Sequence, residues 1–175
     1  MGDTKCYENY ANAKRKGRKV EVKPHWKKAQ KKYLRNTGQA YEVETMSDSI
    51  KMRKARSVQP PCAESCKFRC FEKFTKKRRQ AIFREFWDLG NLEDQRFFIA
   101  INLDQVIPTY RYSKSNRALN YAYNLTNAVG EKERVCKEFF CNTLDISTKM
   151  IENIKRRMAN PDFTFEDFRG KYLRQ

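Results

Sequence analysis

The sequence predicts a mainly α-helical domain with a small antiparallel β-hairpin, stapled by zinc and preceded by a disordered basic arm. Three observations predict it. Apolar residues recur at helical spacing after residue 60, and three cysteines stand four residues apart in PPCAESCKFRC. The first 58 residues hold 16 basic and 6 acidic side chains with few aliphatic ones. We expect an arm at 1–58, a cysteine-rich helical domain at 59–160 and a tail at 161–175.

The overall composition favours a polyanionic partner. Lys and Arg total 38 against 21 Asp and Glu, which gives a net charge of +17 and a pI near 9.8. This balance favours nucleic acid first and an anionic membrane surface second. No stretch approaches the roughly 18 consecutive apolar residues of a membrane span, and the first residues lack the apolar core of a secretory signal. We expect an intracellular protein without membrane association, whose six cysteines are metal ligands or buried thiols.

The arm contains the densest basic cluster of the chain. Between Lys14 and Arg35 there are 11 basic residues and one acidic residue, and AKRKGRK meets the criterion for a nuclear localisation signal. The same side chains are suited to phosphate contacts that do not depend on sequence. A solubilising tail is the alternative explanation. We predict a nuclear protein and assign phosphate contacts to Lys14, Arg15, Lys16, Arg18 and Lys19.

Two helices are predicted after the cysteines. The first has Thr75 as its N-cap and Gly90 as its C-terminal stop. Its inward residues are Ile82, Phe83, Phe86 and Trp87. The second begins after Asn91, and Pro108 ends its helical pattern. Its apolar face consists of Phe97, Phe98 and Ile101.

A β-hairpin is predicted next, over residues 119–135. Residues 119–125 alternate apolar and polar side chains, which indicates a strand with one buried face, and Gly130 provides the turn. The stretch TYRY at 109–112 is a candidate third strand. This region contains four tyrosines: Tyr110, Tyr112, Tyr121 and Tyr123. They could stack bases on an exposed sheet, which is the best argument for RNA binding. We favour packing in the core as their role.

The last patterned stretch predicts a helix-turn-helix-like unit. Residues 135–144 carry apolar side chains on one helical face, and Ser147 caps a second helix over 147–158. Ile151, Ile154 and Met158 face inward in that second helix. Its outward residues are Lys149, Glu152, Asn153 and Arg156. We assign recognition of base edges to Lys149, Asn153 and Arg156; Glu152 either accepts from cytosine or opposes DNA at this face.

Three cysteines require a bend if they are to share one metal ion. In a continuous helix Cys62 and Cys70 would lie about 12 Å apart along the axis, too far for one zinc. Pro60 and Pro61 favour an extended approach, so Cys62 can fold back over a single turn that presents Cys66 and Cys70.

The fourth ligand is expected from the hairpin's far end. Cys136 and Cys141 point in directions about 140 degrees apart on a helix, so only one of them can face the metal. Cys136 begins its helix directly after the hairpin, whereas Cys141 is better explained as a buried small hydrophobe. We predict a structural zinc ion held by Cys62, Cys66, Cys70 and Cys136, with buried free thiols or a partial site as the alternative.

Several motifs follow one another along the chain: RNTGQAY, PPC with CKFRC, RQAIFREFWDLGNLEDQRFFI, NYAYNL, VCKEFFCNTLDIS and FRGKY. Their order resembles the amino-terminal region of a family of animal transposable-element-like proteins, over residues 33–172. In that family a cysteine-rich module and a helix-turn-helix-like segment precede an RNase H-like domain. The resemblance implies that the recurring cysteines are Cys62, Cys66, Cys70 and Cys136. The cysteines are spaced more widely here than in that family, which concerns the metal site. The sequence also ends before a nuclease-like domain, so the resemblance implies no catalysis.

The residues themselves also argue against an enzyme. The sequence has no Gly-rich phosphate loop and no Ser, His and Asp set, and its sole histidine lies in the arm. We therefore predict a double-stranded DNA-binding module of transposable-element origin, with helix 147–158 as the recognition helix. The alternatives are a nonspecific basic protein that binds RNA or chromatin, and a protein-interaction adaptor.

Overall fold

The computed structural model describes residues 24–44, 49–107, 110, 120–160 and 164–166. Within them the chain forms six helices and two antiparallel sheets, so the fold is mainly α with small sheets, as predicted. The helices are α1 Pro24–Asn36, α2 Cys70–Lys73, α3 Lys76–Trp87, α4 Leu92–Ile101, α5 Lys137–Leu144 and α6 Thr148–Met158. The strands are β1 Tyr41–Glu44, β2 Ile50–Arg53, β3 Leu103–Val106, β4 Asn120–Thr126 and β5 Lys132–Val135. None of the described helices is long and apolar enough to cross a bilayer.

The predicted caps of α3 and α4 are confirmed. The Thr75 hydroxyl accepts a hydrogen bond from the Arg78 backbone N–H at 3.2 Å. The Asn91 side chain accepts from the Asp94 N–H at 2.8 Å and so starts α4. Gly90, between the two helices, has φ 65, the left-handed conformation that ends a helix without steric cost in glycine. Local sequence signals therefore set both ends of this connection.

The predicted apolar face of α4 is partly wrong. Phe97 and Ile101 are 51% and 45% exposed, respectively. Ile99 and Gln95, one turn apart, are buried instead, and Phe98 is half-buried beside them. Helix α4 is therefore rotated relative to the orientation that its largest side chains predict.

A three-stranded sheet of order β3-β4-β5 contains the predicted hairpin. Tyr123 of β4 pairs with Leu103 on one side and with Val135 on the other. The helical pattern was predicted to run to Pro108, but α4 ends at Ile101 and β3 follows at once. Of the candidate third strand at 109–112, only Tyr110 is described, and it lies outside the strands.

Strand β4 lacks the single buried face that was predicted. Ala122, Tyr123, Asn124 and Leu125 are all buried. Since β4 is the central strand, both of its edges are paired. The buried Asn124 amide donates to the Asp104 carboxylate across the β3 pair at 2.6 Å, which satisfies its polar group.

Residues 24–53 differ from the expectation of a mostly disordered arm. Helix α1 is followed by the β1–β2 hairpin, and we call these three elements the N-terminal unit. The Gln95 side chain donates to the Asn36 carbonyl at 2.7 Å in a buried contact that joins α4 to this unit. The predicted phosphate-binding cluster lies outside the described residues: Lys14, Arg15, Lys16, Arg18 and Lys19.

The core packs α5 between α3 and the larger sheet. Phe139 and Phe140 of α5 are fully buried, and Phe140 packs against the Tyr123 ring with centroids 5.6 Å apart. Ser147 caps α6 as predicted, accepting from Met150 N–H at 3.3 Å. The inward residues predicted for α5 and α6 are confirmed as buried, apart from Met158, which is half-buried: Phe139, Phe140, Thr143, Leu144, Ile151 and Ile154.

Candidate metal centre and nucleic-acid interface

Two consecutive turns bring the first three cysteines together. Cys62 lies in an extended segment, and Cys66 N–H then donates to the Ala63 carbonyl at 3.0 Å. A second turn follows, in which Arg69 N–H donates to the Cys66 carbonyl at 2.9 Å. Arg69 has φ 47, a left-handed conformation that reverses the chain before Cys70 starts α2. The sequence predicted one turn; the second one is what separates Cys66 from the helix that carries Cys70.

The fourth thiol comes from the start of α5. Cys136 is the N-cap of that helix, directly after β5, as predicted. The four sulfur atoms of Cys62, Cys66, Cys70 and Cys136 all lie within 4.8 Å of one another. The Cys66 and Cys70 Sγ atoms are 3.9 Å apart, close to the distance of about 3.8 Å expected between ligands of a tetrahedral zinc–sulfur site. These four cysteines could therefore hold a metal ion.

Cys141 is not part of this cluster. It is buried in α5 with 7% of its surface exposed, and burial raises the pKa of its thiol. Its role as a small buried hydrophobe is the one that the sequence predicted.

Backbone N–H groups point at three of the clustered sulfur atoms. Cys136 N–H donates to Cys70 Sγ at 3.2 Å, and Phe139 N–H donates to Cys136 Sγ at 3.3 Å. A backbone hydrogen bond from Phe68 lowers the pKa of the Cys66 thiol to about 7. Such donors stabilise the thiolate form, which is the form that binds metal ions.

Burial acts in the opposite direction on Cys62, and on Cys70 it outweighs the backbone hydrogen bond. It raises the pKa of Cys62 well above its ordinary value and that of Cys70 to about 11. Without a cation these two sulfur atoms are therefore protonated near neutral pH. A bound divalent ion would supply the positive charge that deprotonation requires.

Arg79 is a buried charge that the sequence analysis did not identify. Only 5% of its surface is exposed, and burial lowers the pKa of its guanidinium while the nearby Cys62 thiol opposes that shift. Its Nε donates to Thr143 Oγ1 at 3.0 Å, and its Nη2 donates to the Gln59 carbonyl at 2.8 Å. The guanidinium also lies over the Phe139 ring, 4.7 Å from the centroid. Arg79 thus joins the segment that precedes Cys62 to the helix that Cys136 begins.

A sequence signal for Arg79 existed. Arg79 stands three residues before Ile82 and seven before Phe86, which places it on the apolar face of α3. A cation at such a position is expected to find buried polar partners.

The outward face of α6 borders a groove of about 460 Å³ between α4 and α6. Lys149, Asn153 and Arg156 are exposed, as predicted, and all three line this groove. Its other described lining residues are Leu92, Arg96, Ser147, Met150, Ile154 and Arg157. The part of the chain that the structure describes places no carboxylate in this lining.

Glu152 is an exposed neighbour of these residues on α6, but it does not line the groove. Its carboxylate accepts from Lys137 Nζ at 2.9 Å and lies 3.5 Å from Lys155 Nζ. The Lys155 ammonium also donates to the Tyr123 hydroxyl at 2.7 Å and lies 4.8 Å from the Tyr121 ring centroid. The carboxylate that the sequence analysis placed beside the predicted base-reading residues is therefore neutralised away from the groove.

The two tyrosines that the structure describes in the larger sheet do not form an exposed stacking surface. Tyr123 is 7% exposed and packs in the core, and Tyr121 is half-buried under Lys155. Tyr110 is 73% exposed, and Tyr112 lies outside the described residues. The packing role that the sequence analysis favoured is confirmed for Tyr123.

No family model matches this chain, and no curated protein or solved structure matches it significantly. The resemblance of its motif order to transposable-element-like proteins remains a prediction.

Proposed function

We propose that the protein is a double-stranded DNA-binding module in which the four-cysteine cluster holds a structural zinc ion and α6 reads base edges. In this proposal it acts in the nucleus as a binding protein without enzymatic activity, and it derives from a transposable element. The observation that carries the proposal is the exposed face of Lys149, Asn153 and Arg156 beside a groove whose described lining has no carboxylate.

Zinc is the metal that best suits the cluster. Four thiolates at mutual distances below 4.8 Å match the closed tetrahedral ligand sets of structural zinc sites. A set of four protein ligands leaves no open position for water, which favours a structural role over a catalytic one. The ion would supply a cross-link between residues 62–70 and the start of α5. It would thereby stabilise the helix that precedes α6.

The chemistry of α6 supports base recognition. An Asn side chain can pair with adenine N6 and N7, and Lys or Arg can donate to guanine O6 and N7. Lys149, Asn153 and Arg156 follow one another at i, i+4 and i+7, which puts them on one face. The short connection from α5 includes Asp145 with φ 50 and the N-cap Ser147, a length typical of helix-turn-helix units. The outward face of the first turns of α6 is exposed, as base-reading residues require.

Selection of preferred sites from a random duplex pool tests this proposal. Asn153→Ala and Arg156→Ala are then measured on the selected site and on random duplex, with Lys77→Ala on the exposed surface of α3 as the control. We expect each α6 variant to lose about 1 to 3 kcal/mol on the selected site and little on random DNA. The control should lose equally on both. A pool without enrichment, or equal losses of the α6 variants on both duplexes, would reject recognition by α6.

A further inference from the structure

A second concave surface lies between α1, the β1–β2 hairpin and the extended segment that follows. Its volume is about 590 Å³, and cations reach it from three elements: Arg35 of α1, Arg53 of β2, and Lys54 and Arg56 of the extended segment. We call it the cationic cleft. Its other described lining residues are Gly38, Gln39, Tyr41, Ala55, Ser57, Gln59 and Asp145.

Most of the charge in the cationic cleft is not neutralised within the chain. Arg35, Arg53 and Lys54 are exposed and have no carboxylate partner among the residues that the structure describes. Arg56 pairs with Asp145, the one acidic residue of the described lining, at 3.7 Å. Because like charges brought together repel one another, their convergence on one concavity favours an anionic ligand.

The cleft is fixed to the domain. Gly38 packs so closely on Trp87 that an added Cβ would lie 2.9 Å from the indole ring. The Arg56 N–H donates to the Gly38 carbonyl at 2.7 Å, which joins the extended segment to the chain after α1. The buried bond from Gln95 to the Asn36 carbonyl attaches the end of α1 to α4. The cations therefore occupy defined positions, unlike those of a flexible tail.

The cleft also adjoins the turn that leads into α6. Ser57 N–H donates to the Asp145 carboxylate at 3.2 Å, and Arg56 Nη1 donates to the Asp145 carbonyl at 3.1 Å. Asp145 ends α5 and stands two residues before Ser147, the N-cap of α6. A ligand held in the cleft is thus placed next to the start of the proposed recognition helix.

We infer that the cationic cleft binds phosphate groups of a nucleic-acid backbone and thereby sets the position of the duplex relative to α6. Guanidinium groups pair with phosphate oxygens in a bidentate geometry, and Gln39, Tyr41 and Ser57 add hydrogen-bonding groups beside them. An acidic peptide would need apolar anchors as well, and the described lining offers only Ala55 and part of Tyr41 for these. The inference rests on the proposed DNA-binding function and names its phosphate-contacting surface.

The test compares two triple variants of the full, zinc-loaded chain that remove equal charge. The cleft variant is Arg35→Gln, Arg53→Gln and Lys54→Gln. The control is Lys67→Gln, Lys77→Gln and Arg84→Gln, three exposed cations outside both the cleft and the α6 groove. Anisotropy of a labelled duplex of selected sequence, and of one of random sequence, is measured over a series of salt concentrations.

We expect the cleft variant to flatten the slope of log affinity against log salt by about 2 to 3, since each lost phosphate contact accounts for about 0.9. Its affinity at physiological salt should fall on the order of tenfold or more on both duplexes, with their ratio unchanged. A control variant that behaves identically would overturn the inference, because the effect would then be one of net charge. Competition by polyglutamate as effective as that by unlabelled duplex would reassign the cleft to acidic peptides.

The inference and the proposed function fail in different ways. Loss of salt slope in the cleft variant, combined with no loss of selectivity in Asn153→Ala and Arg156→Ala, would keep the phosphate site and reject α6 as the reader. An unchanged salt slope in the cleft variant, with lost selectivity in the α6 variants, would reject the phosphate site and keep α6 as the reader. A wild-type chain that binds neither duplex at any salt concentration would reject both.

Discussion

The cysteine cluster and the N-terminal unit are attached to the same domain by opposite means. Two thiols of the cluster are buried, Cys70 at 0% and Cys62 at 5% exposed, and the Cys136 N–H at the start of α5 donates to Cys70 Sγ. The N-terminal unit is mostly exposed and is attached at few points, chiefly the Asn36 carbonyl, Gly38 and Arg56. With a metal ion bound as proposed, the first attachment would use ligation at a single point, whereas the second uses close packing and a few hydrogen bonds.

The two kinds of attachment suit different contributions to function. A metal ion in the cluster would fix the chain on both sides of it, and so it would hold α5 and α6 in place. An attachment by close packing and a few hydrogen bonds leaves side chains at the surface available to contact a ligand. This is why Arg53 and Lys54 remain available to a ligand while no thiol of the cluster is fully exposed. Three substitutions test this contrast, and their effects on stability should decrease in the order given.

Removal of one ligand should destroy the domain. In Cys70→Ser the thiolate set is incomplete, and structural zinc contributes on the order of 10 kcal/mol in finger peptides, comparable to the whole stability of a small domain. We expect the purified wild-type protein to contain one zinc ion per chain by elemental analysis. The variant should lack it and show no cooperative unfolding transition by circular dichroism.

Cys141→Ala is the matched control, since it removes a buried thiol that lies outside the cluster. It should retain zinc and lose about 1 kcal/mol, the cost of a small cavity. If the wild-type protein contains no zinc, and if neither a chelator nor Cys70→Ser changes its unfolding, the cluster does not hold the domain together through a metal ion.

Gly38→Ala should detach the N-terminal unit and leave the core intact. The residue has φ 70, which costs an alanine about 1 kcal/mol, and the new Cβ would stand 2.9 Å from Trp87. With the added overpacking we expect a local loss of about 3 kcal/mol. Hydrogen exchange should show faster exchange of amides in α1, while amides of α3 and α5 keep their protection.

Gly90→Ala separates the two causes, because Gly90 has nearly the same φ of 65 but its added Cβ would approach no atom closer than 3.8 Å. It should cost about 1 kcal/mol, from the backbone conformation alone. Equal effects of the two substitutions would mean that the contact with Trp87 does not hold the unit in place.

Glu152→Gln removes the ion pair that joins α6 to Lys137 of α5, and its effect on stability should be the smallest of the three. The hydrogen bond from Lys137 holds the pKa of Glu152 below its ordinary value. The pair therefore stabilises the fold while Glu152 is ionised, and this stabilisation is lost as the pH falls through the lowered pKa. Both side chains are more than a third exposed. At pH 7 we therefore expect a loss of about 0.5 kcal/mol in urea unfolding, which disappears in about 1 M salt. A loss that persists in high salt would contradict a purely electrostatic attachment.

Local signals predicted most of the helical core. Thr75, Asn91 and Ser147 all act as the N-caps that the sequence indicated, because a cap and its recipient N–H lie within three residues. The cysteine cluster was predictable over a longer range. Only one downstream cysteine could face the other three, and Cys136 at a helix start had the freedom to do so.

Contacts between distant residues account for what the sequence did not predict. Phe97 was assigned to the core because of its size, yet it lies on the surface and packs edge-on against Phe165, with ring centroids 5.5 Å apart. The charged composition of the N-terminal unit predicts disorder, yet the unit is attached through partners such as Gln95 and Asp145, about 60 to 90 residues away in sequence. Neither contact leaves a periodic pattern in the chain.

Trp87 lies between the end of α5 and the N-terminal unit, and this gives the protein an optical reporter. Its indole N–H donates to the Leu144 carbonyl at 3.0 Å, its ring contacts Gly38, and the Arg56 guanidinium lies 5.7 Å from the ring centroid. The sequence contains one other tryptophan, Trp26. In a Trp26→Phe background the emission of a single indole would therefore report the seating of the N-terminal unit, at wavelengths where thiolate–metal absorption does not interfere.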